Sequence, residues 1–518
     1  WTDVHTKVLT EGYSKAGDPN PRAGLFIYNV LNKDTVHIDV GNDPDQYIYG
    51  IDFTKDGTEL LFHRMNRRQN VVEVLAASVK TGQSRVVVKE EQKTWQRQAP
   101  EMKFLQDGYR FIWETEKNGW KNYELRDLGG KLITTLTNDE FPVNKIEMIR
   151  EESSLPGGGT LYYTAFSDVN KLNSQLHIVN LDGSGHTVLT KLPLNHRVNV
   201  SPNGKWFVSE YQSIEMPPTT GLFDNTGNEV AERAESDTTK MKKMGLAWPE
   251  SVICASPDGE TELYGVLYKP SNFDPHKKYP LVISVYGGPE SQSVENVFKP
   301  AQPGCELGFL IAQFDNRGTV NRGKKFEEAL YLNLGSVELD DQAAGVKFLA
   351  QREYVDATRV GIFGFSYGGY MSALALLKQP DVFQVAVAGG TVTDWKNYDS
   401  IYTERYMQTP QANPKGYEES SCLTHIDALK GHLLLLHGMV DDNVHPTNLW
   451  QFVDLLQKAG KPFDMMLFAN SGHGFRMMEA EYRWPYLYEH LIGDHAEESK
   501  PSLAAGADTK KERESVPQ

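Results

Sequence analysis

Residues 364–370 read GFSYGGY and stand between an apolar run, RVGIF, and a stretch with helical character, MSALALLKQ. Glycines on both sides of Ser366 allow a strand and a helix to approach closely around a sharp turn. The serine hydroxyl would be exposed at the end of the strand, and the first helical residue, Tyr367, would offer a free backbone N–H to an anion. This pattern predicts a nucleophilic serine, and the alternative is a glycine-rich turn without a chemical role.

A serine hydroxyl needs a base to remove its proton, and candidates follow later in the chain. One apolar run, HLLLLHGMVDDNV, ends in Asp441 and Asp442, and the next, FDMMLFANSGHGF, ends in His473 between two glycines. The order Ser, Asp, His along the chain is typical of α/β-hydrolases. We predict Asp441 as the acid, with Asp442 as the alternative that would cap the turn or the following helix. His437 and His445 are predicted to be structural.

Buried strands and helices alternate through the second half of the chain. YPLVISVYGG (279–288) and GFLIAQFDNRG (308–318) are short apolar runs, and helical spacing follows in residues 337–354 and 446–461. Strands that are buried on both faces and alternate with helices indicate a mostly parallel, doubly wound sheet with helices on both sides. We therefore predict an α/β-hydrolase domain over residues 241–496.

The first half carries an internal repeat with a period of about 50 residues. An apolar segment, a glycine turn and a second apolar segment recur around Gly57, Gly108, Gly159 and Gly204. A second hairpin signal recurs between them, in residues 78–88, 125–137, 178–190 and 222–232. Four-stranded propeller blades have this pattern, whereas an irregular β-sandwich, the alternative, has no such fixed period.

A partial repeat, LFIYNVLNKDTVHIDV (25–40), precedes the first full one and is predicted to be the outer half of a blade. An open half-blade would expose unpaired strand edges, so we expect further blades N-terminal to Trp1. Residues 1–240 are therefore predicted to be the later blades of a β-propeller that is incomplete at its N-terminus.

Composition argues against several classes of function. The 518 residues have a net charge of −16, with 53 basic and 69 acidic side chains, which disfavours nucleic acid as a partner. No apolar run approaches the ~20 residues of a membrane span. Cys254, Cys305 and Cys422 lie far apart, so we predict neither a disulfide framework nor a metal or cofactor site. The chain begins at Trp1 without a signal segment, and the polar residues 497–518 are predicted to be disordered.

Several stretches of the sequence resemble the dipeptidyl peptidase IV branch of the prolyl oligopeptidase family of serine peptidases. In the second half they are VYGGPESQ (285–292), GFSYGGYM (364–371), TDWKNYDSIYTERYM (393–407) and HGMVDDNVH (437–445), followed by SGHGF. In the first half, YSKAGDPNP and RMNRRQN look like landmarks of the family's later propeller blades. The resemblance implies a catalytic α/β-hydrolase domain preceded by a β-propeller.

The resemblance assigns the reaction chemistry to five positions. Ser366, Asp441 and His473 match the catalytic triad of the family, in agreement with the interpretation of the residues alone. Tyr286 matches a tyrosine whose hydroxyl joins the backbone N–H of Tyr367 in the oxyanion hole.

The resemblance also implies a substrate pocket. The walls of the pocket for the residue before the cleaved bond match Val392, Trp395, Tyr398, Tyr402 and Val444. Asn443 matches a side chain that binds a substrate carbonyl, and Arg405 matches one at the amino-terminal end of the site. An aromatic box suits proline, which has a rigid apolar ring and no amide N–H.

These matches predict an exopeptidase that releases X-Pro or X-Ala dipeptides from short peptides. Members of this branch hold the peptide amine with two adjacent glutamates upstream of the YSKAGDPNP landmark, and residues 1–12 contain no such pair. Dipeptidyl specificity therefore depends on a segment upstream of Trp1, and we expect its glutamates to be the acidic partner of Arg405.

Other functions remain open at this stage. Within the same clan they are prolyl tripeptidyl peptidase, acylaminoacyl peptidase and esterase activity. From another class, the chain could be a propeller interaction protein with a silent hydrolase domain, although the triad residues argue against it. The resemblance further implies a homodimer and favours a periplasmic or secreted location.

Overall fold

Two kinds of sheet follow one another along the chain. The computed structural model describes residues 10–166, 170–231, 233–299 and 302–493, so the tail predicted to be disordered and Trp1 lie outside the described residues. One two-stranded and four four-stranded antiparallel sheets come first, and one eight-stranded mixed sheet follows. The predicted order of a β-propeller followed by an α/β domain is confirmed.

The propeller strands are numbered in chain order. The two-stranded sheet consists of β1 (Phe26–Tyr28) and β2 (Thr35–His37). The first four-stranded sheet contains β3 (Gln46–Phe53), β4 (Glu59–Asn66), β5 (Val71–Ser78) and β6 (Ser84–Glu91). The second contains β7 (Met102–Phe104), β8 (Arg110–Thr115), β9 (Asn122–Asp127) and β10 (Leu132–Thr135). The third contains β11 (Val143–Glu151), β12 (Gly159–Phe166), β13 (Ser174–Asn180) and β14 (Thr187–Val188). The fourth contains β15 (Asn195–Val200), β16 (Trp206–Ser213), β17 (Met216–Asp224) and β18 (Ala234–Glu235).

The repeated glycines lie where the first strand of each four-stranded sheet turns into the second. Gly57, Gly108 and Gly204 have φ angles of 68°, 68° and 64°, a left-handed conformation that glycine adopts without a Cβ clash. Gly159 begins the second strand of its sheet. The second hairpin signal covers the connection between the third and fourth strands of each sheet, although in the last sheet it ends before β18. The four repeats therefore correspond to the four sheets.

The second half forms the eight-stranded sheet. Its strands are β19 (Glu250–Ala255), β20 (Glu262–Tyr268), β21 (Tyr279–Ser284), β22 (Leu310–Asp315), β23 (Val355–Phe365), β24 (Val385–Gly389), β25 (His432–Gly438) and β26 (Asp464–Phe468). Their spatial order is β19-β20-β22-β21-β23-β24-β25-β26. The strands from β22 to β26 pair in parallel, and β19 and β20 form an antiparallel edge.

Helices connect the parallel strands. The α-helices are α1 (Thr239–Lys243), α2 (Lys324–Glu327), α3 (Val337–Leu349), α4 (Tyr367–Lys378), α5 (Ser400–Met407), α6 (Pro414–Ser420), α7 (Thr447–Lys458) and α8 (Arg476–Leu491). The predicted helices at 337–354 and 446–461 are therefore present, but each ends a few residues earlier than expected. None of the helices in the described ranges combines the length and the apolar character needed to cross a membrane.

Both faces of the eight-stranded sheet are covered. Successive residues of a strand point to opposite faces, and in β23 Ile362 belongs to one buried cluster and Phe363 to the other. Leu374 of α4 and Leu456 of α7 pack in the first cluster, and Leu487 of α8 packs in the second. This double burial explains why the strands appear in the sequence as continuous apolar runs rather than as alternating patterns.

A short segment at the start of the described chain pairs with the hydrolase domain just before α5. The backbone N–H of Ala16 donates to the carbonyl of Tyr398 over 3.1 Å, and the N–H of Ser400 donates to the carbonyl of Ser14 over 2.9 Å. The propeller half is thus joined to the hydrolase half by backbone hydrogen bonds of the kind found between β-strands.

A buried cluster of charges forms another contact between the halves. The Nζ atom of Lys324 lies 4.1 Å from the ring centroid of Trp95, within the range of a cation–π interaction. Arg97 donates to Glu116 over 3.1 Å, and its Nη2 lies 3.6 Å from Oε1 of Glu327. Burial raises the pKa of Glu327 to about 7, so this interface contains a carboxyl that titrates near neutrality.

Candidate active site

Ser366 occupies a sharp turn between β23 and α4. Its φ and ψ angles are 61° and −116°, a conformation that side-chain-bearing residues rarely adopt. A Cβ atom on Gly364 or on Gly368 would overlap the carbonyl oxygen of Val285, which directly follows the neighbouring strand β21. The two glycines are therefore needed for the close approach of strand and helix, and this packing holds the serine at the carboxyl edge of the sheet.

The side chains of Ser366, Asp441 and His473, which follow β23, β25 and β26, meet at this edge. The Ser366 Oγ lies 3.0 Å from His473 Nε2, and His473 Nδ1 lies 2.7 Å from Oδ2 of Asp441. The other carboxylate oxygen of Asp441 accepts the backbone N–H groups of Asn443 and Val444 over 3.0 and 2.9 Å. Asp441 is thus fixed as an acceptor toward His473, and the three groups have the geometry of a nucleophile, a base and an orienting acid.

The neighbouring candidates are arranged differently. Asp442 is exposed, whereas Asp441 is buried. His437 is also buried, and its Nε2 lies 2.9 Å from the carbonyl oxygen of Val444. Burial lowers the pKa of His437, which favours a neutral ring that donates to this carbonyl. His445 packs against the ring of Tyr13 at a centroid distance of 4.2 Å.

Two hydrogen-bond donors lie near the turn at Ser366. Tyr367 is the first residue of α4, so its backbone N–H has no acceptor within the helix. The ring of Tyr286, which follows β21, lies with its centroid 6.0 Å from that of Tyr367 and is 38% exposed. Partial burial raises the pKa of Tyr286, so its hydroxyl keeps its proton at neutral pH and can donate it in a hydrogen bond.

A buried amide pair holds the loop after Tyr286, and the sequence analysis missed it. The side chain of Asn316 donates to the carbonyl of Gly287 over 2.9 Å, and Gln342 donates to Oδ1 of Asn316 over 2.9 Å. Both amide side chains are fully buried. Asn316 directly follows β22 in the sequence FDNRG, so a polar residue at the end of a buried strand was the available signal.

The predicted pocket residues lie together beside the elbow. The ring of Trp395 is stacked on Tyr402 and stands edge-on to Tyr398, with centroids 5.9 Å apart in both cases. Val392 and Val444 are buried in the same cluster as Trp395. The hydroxyl of Tyr398 donates to the side chain of Asn443 over 2.8 Å, so the aromatic wall is joined to the loop that carries Asp441.

Arg405 is buried and bonded on three sides. Its Nε donates to Gln69 over 2.9 Å, its Nη2 donates to Gln98 over 2.9 Å, and its Nη1 lies 3.2 Å from Oε1 of Glu290. Two of these partners come from the propeller and one from the loop after Tyr286. The acidic partner found within the described residues is Glu290, which the sequence analysis did not identify.

One further contact to the loop after β25 comes from the propeller half. The hydroxyl of Tyr13 donates to the carbonyl of Asn443 over 2.9 Å. Its position in YSKAGDPNP, a stretch that resembles a family landmark, was the signal available in the sequence. Within the part of the chain that the structure describes, no group of three or more His, Cys, Asp or Glu side chains could hold a metal ion.

Two family models match the chain. The model of the prolyl oligopeptidase family matches residues 296–491, and that of the dipeptidyl peptidase IV N-terminal region matches residues 2–218. The first match contains Ser366, Asp441 and His473, and the second covers most of the propeller. The N-terminal model thus matches the half with the antiparallel sheets, and the prolyl oligopeptidase model matches the half with the eight-stranded sheet.

Two full-length relatives and a crystal structure are also similar. Human dipeptidyl peptidase 8 is 36% identical over 353 residues, which are 64% of this chain and 39% of that protein. The probable dipeptidyl-aminopeptidase B of Aspergillus oryzae is 31% identical over 513 residues, which are 92% of this chain and 55% of that protein. The chain thus spans about half or less of the length of these relatives. The crystal structure of Porphyromonas gingivalis dipeptidyl peptidase 4 superposes with a TM-score of 0.83 and 29% identity, covering 95% of this chain and 70% of that one.

Proposed function

The chain belongs to the dipeptidyl peptidase IV branch of the prolyl oligopeptidase family, and we propose that it is a serine exopeptidase releasing X-Pro or X-Ala dipeptides from peptide N-termini. The observation that carries this proposal is the hydrogen-bonded series Ser366, His473, Asp441 beside a box of three aromatic rings. The series provides the nucleophile, base and acid of acyl transfer. The aromatic box gives a reason why cleavage would follow proline or alanine.

In the proposed mechanism, Ser366 Oγ attacks the carbonyl carbon of the second peptide residue while His473 Nε2 takes the serine proton. Asp441 keeps the other nitrogen of His473 as a donor and stabilises the imidazolium that forms. The Tyr367 N–H and the Tyr286 hydroxyl donate to the oxyanion of the tetrahedral intermediate. His473 then protonates the leaving amine, and a water molecule hydrolyses the acyl-enzyme by the same steps in reverse order.

The aromatic box fits proline for a physical reason. Proline brings an apolar ring and no amide N–H, so it can enter a pocket of aromatic faces without leaving a buried donor unbonded. Trp395, Tyr398 and Tyr402 pack against one another, and the buried Val392 and Val444 belong to the same cluster, so the proline ring would lie against this apolar wall. Alanine is small enough to bind at the same wall, although it covers less of it and brings an N–H group.

The free amine of the substrate requires negative charge at the far end of the site. Arg405 alone would repel an ammonium group, and its contact with the carboxylate of Glu290 offsets part of that charge. We propose that Arg405 holds carboxylates that bind the amine: Glu290 and the glutamate pair that the family resemblance places upstream. Charge-assisted pairs of this kind with arginine are directional and strong.

A substrate panel tests the proposal. Chromogenic Gly-Pro, Ala-Pro and Ala-Ala substrates represent dipeptidyl release, Ala-Ala-Pro represents tripeptidyl release, and acetyl-Ala and succinyl-Gly-Pro have blocked amines. We expect turnover of the free dipeptidyl substrates, weak turnover of succinyl-Gly-Pro, and none with Ser366→Ala. Preference for Ala-Ala-Pro or acetyl-Ala would assign another activity of the clan, and inertness toward the whole panel would favour a silent hydrolase domain.

We also propose that the protein is a homodimer, because the family resemblance implies one. Sedimentation equilibrium of the full chain measures the mass directly. A mass equal to that of one chain over the micromolar range would reject the dimer without affecting the proposed reaction.

A further inference from the structure

The turn between β4 and β5 projects from the propeller onto α5 of the hydrolase domain. It comprises residues 66–70, within the stretch RMNRRQN. Arg67 and Gln69 both leave the propeller surface and contact α5, whereas the intervening Arg68 is exposed and donates to Lys93 within the propeller. The contacts of Arg67 and Gln69 therefore belong to the meeting of the two domains.

Arg67 contacts the middle of α5 through Glu404. Its Nε and Nη2 donate to the two carboxylate oxygens of Glu404, each over 2.6 Å, and the side chain of Glu404 is only 1% exposed. Glu404 also accepts the backbone N–H of Gly17 over 2.7 Å, and Arg67 lies 2.9 Å from Asp45. A two-pronged, charge-assisted pair of this type fixes orientation as well as distance.

Gln69 forms hydrogen bonds to two other residues of α5. Its amide oxygen accepts Arg405 Nε over 2.9 Å, and its amide nitrogen donates to the carbonyl of Ile401 over 2.5 Å. Gln69 is fully buried and has a φ of 57°, a conformation that costs free energy for a residue with a side chain. The surrounding bonds hold it there, since Gln69 N–H donates to Asn66 and Gln69 accepts from the N–H of Gln96.

Helix α5 carries residues of the proposed substrate site. Tyr402 lies between Ile401 and Glu404, and its ring stacks on Trp395 in the aromatic box. Arg405 also contacts Glu290, four residues after Tyr286. A displacement of α5 would therefore move a wall of the pocket and a contact to the loop that bears the oxyanion donor.

We propose that the propeller turn of residues 66–70 is a specificity-determining element, in which Arg67 and Gln69 position the pocket wall of α5 through Glu404, Ile401 and Arg405. These are positioning residues, because Arg67 and Gln69 act through α5 and not on the substrate. The inference rests on the proposed function, since it assigns a role in binding the peptide that the enzyme cleaves. The competing view is that the turn merely joins two domains.

The test compares neighbouring arginines in the full chain. Arg67→Ala and Glu404→Gln remove the pair from either side, and Arg68→Ala is the matched control on the same turn. Three quantities are measured: kcat and KM for the best substrate of the panel, the rate at which a small fluorophosphonate labels Ser366, and Tm. The label needs the serine and its base but not the pocket.

We expect Arg67→Ala and Glu404→Gln to lower kcat/KM on the order of 10- to 100-fold, mainly through KM, because small displacements of binding groups weaken productive binding. Labelling of Ser366 should persist in both variants, and Arg68→Ala should have the kcat/KM of the wild type. The double variant with Arg67→Ala and Glu404→Gln should lose no more kcat/KM than either single variant, because both changes remove the same contact. Arg67→Lys, which keeps the charge but cannot form the two-pronged contact, should fall between the wild type and Arg67→Ala.

The contrary results are distinct. Unchanged kcat/KM in folded Arg67→Ala would overturn the inference and leave the proposed function intact. A fall in labelling parallel to the fall in peptide cleavage would also overturn it, because the turn would then be general domain support. If Arg67→Ala does not fold, Arg67→Lys decides by the same two readouts. A wild type that is labelled but cleaves no member of the panel would reject the proposed function, and the inference with it.

Discussion

Ser366 and Gln69 are two side-chain-bearing residues in left-handed backbone conformations, one in each half of the molecule. Their φ angles are 61° and 57°. The elbow at Ser366 is imposed by its immediate neighbours, because two glycines let β23 and α4 close around it. The turn at Gln69 is held by backbone hydrogen bonds within the propeller, while its side chain bonds to a helix more than 300 positions away. The elbow directs the Ser366 hydroxyl toward His473, whereas the turn directs the Gln69 side chain toward the other domain.

The largest effect should come from the elbow itself. Ser366→Ala removes the nucleophile without adding volume, so kcat should fall by on the order of 10⁴–10⁶ while Tm stays close to that of the wild type. Steady-state turnover of a Gly-Pro substrate and thermal unfolding measure the two quantities. Near-normal turnover would remove Ser366 from the mechanism.

The acid that orients His473 ranks next. Asp441→Asn should lower kcat by about 10⁴, because an amide can stabilise the wrong tautomer of the imidazole. Asp442→Asn is the matched control, since its carboxylate is exposed one position away, and it should have little effect. If Asp442→Asn were the damaging change, the acid would be wrongly assigned.

The donor beside the elbow should matter less than the triad. Tyr286→Phe should lower kcat by about 10²–10³, because in the proposed mechanism its hydroxyl donates to negative charge that develops only in the tetrahedral intermediate. The KM for a Gly-Pro substrate should change little. A change confined to KM would make Tyr286 a wall of the pocket instead of an oxyanion donor.

The propeller turn allows a sharper comparison between two left-handed positions of one sheet. Gln69→Gly relieves the backbone strain but deletes both bonds to α5, so we expect kcat/KM to fall about tenfold, together with a loss of stability because two buried groups lose their partner. Gly57→Ala adds a side chain at φ 68° where no atom lies within 4 Å. It should cost about 1–2 kcal/mol of unfolding free energy and leave kcat/KM unchanged. Equal kinetic effects would show that the Gln69 contacts have no special role.

The smallest effect concerns pH and the interface between the two halves. Burial raises the pKa of Glu327 to about 7, whereas an unfolded glutamate titrates near 4.3. Between these values the unfolded chain binds fewer protons than the folded one, so this group makes stability fall as pH rises. Glu327→Gln removes the titration, and its Tm relative to the wild type should rise by about 1–3 °C between pH 5 and pH 8. A difference that does not change with pH would contradict the raised pKa.

Features that depend on adjacent residues could be predicted from the sequence. The elbow needs Gly364, Ser366 and Gly368 within five positions, and the propeller sheets repeat a glycine turn at each first hairpin. The loops with Asp441 and His473 follow apolar runs, so their places at the carboxyl edge of a parallel sheet were also predictable. The ends of the helices were harder to predict, because the last turns depend on packing rather than on the periodic pattern.

Contacts between the halves could not be predicted in the same way. Gln69 and Arg405 are separated by 336 positions, and neither has a local pattern that specifies the other. Glu290 was overlooked for a similar reason, because its contact with Arg405 depends on how the loop after Tyr286 folds back. The resemblance marked RMNRRQN as a landmark, but only the structure shows that Arg67 and Gln69 of this stretch contact α5.

The contact between Tyr13 and Asn443 joins residues 430 positions apart, and it has a consequence for the order of events during synthesis. Chains emerge from the ribosome N-terminus first, and domains fold roughly as they emerge, so the propeller strands can pair long before Asn443 exists. Tyr13 and the turn at Gln69 must then wait for partners that are made more than 300 residues later. A nascent chain that ends before these partners lacks the contacts that complete the candidate site, so under the proposed function it could not yet bind peptides.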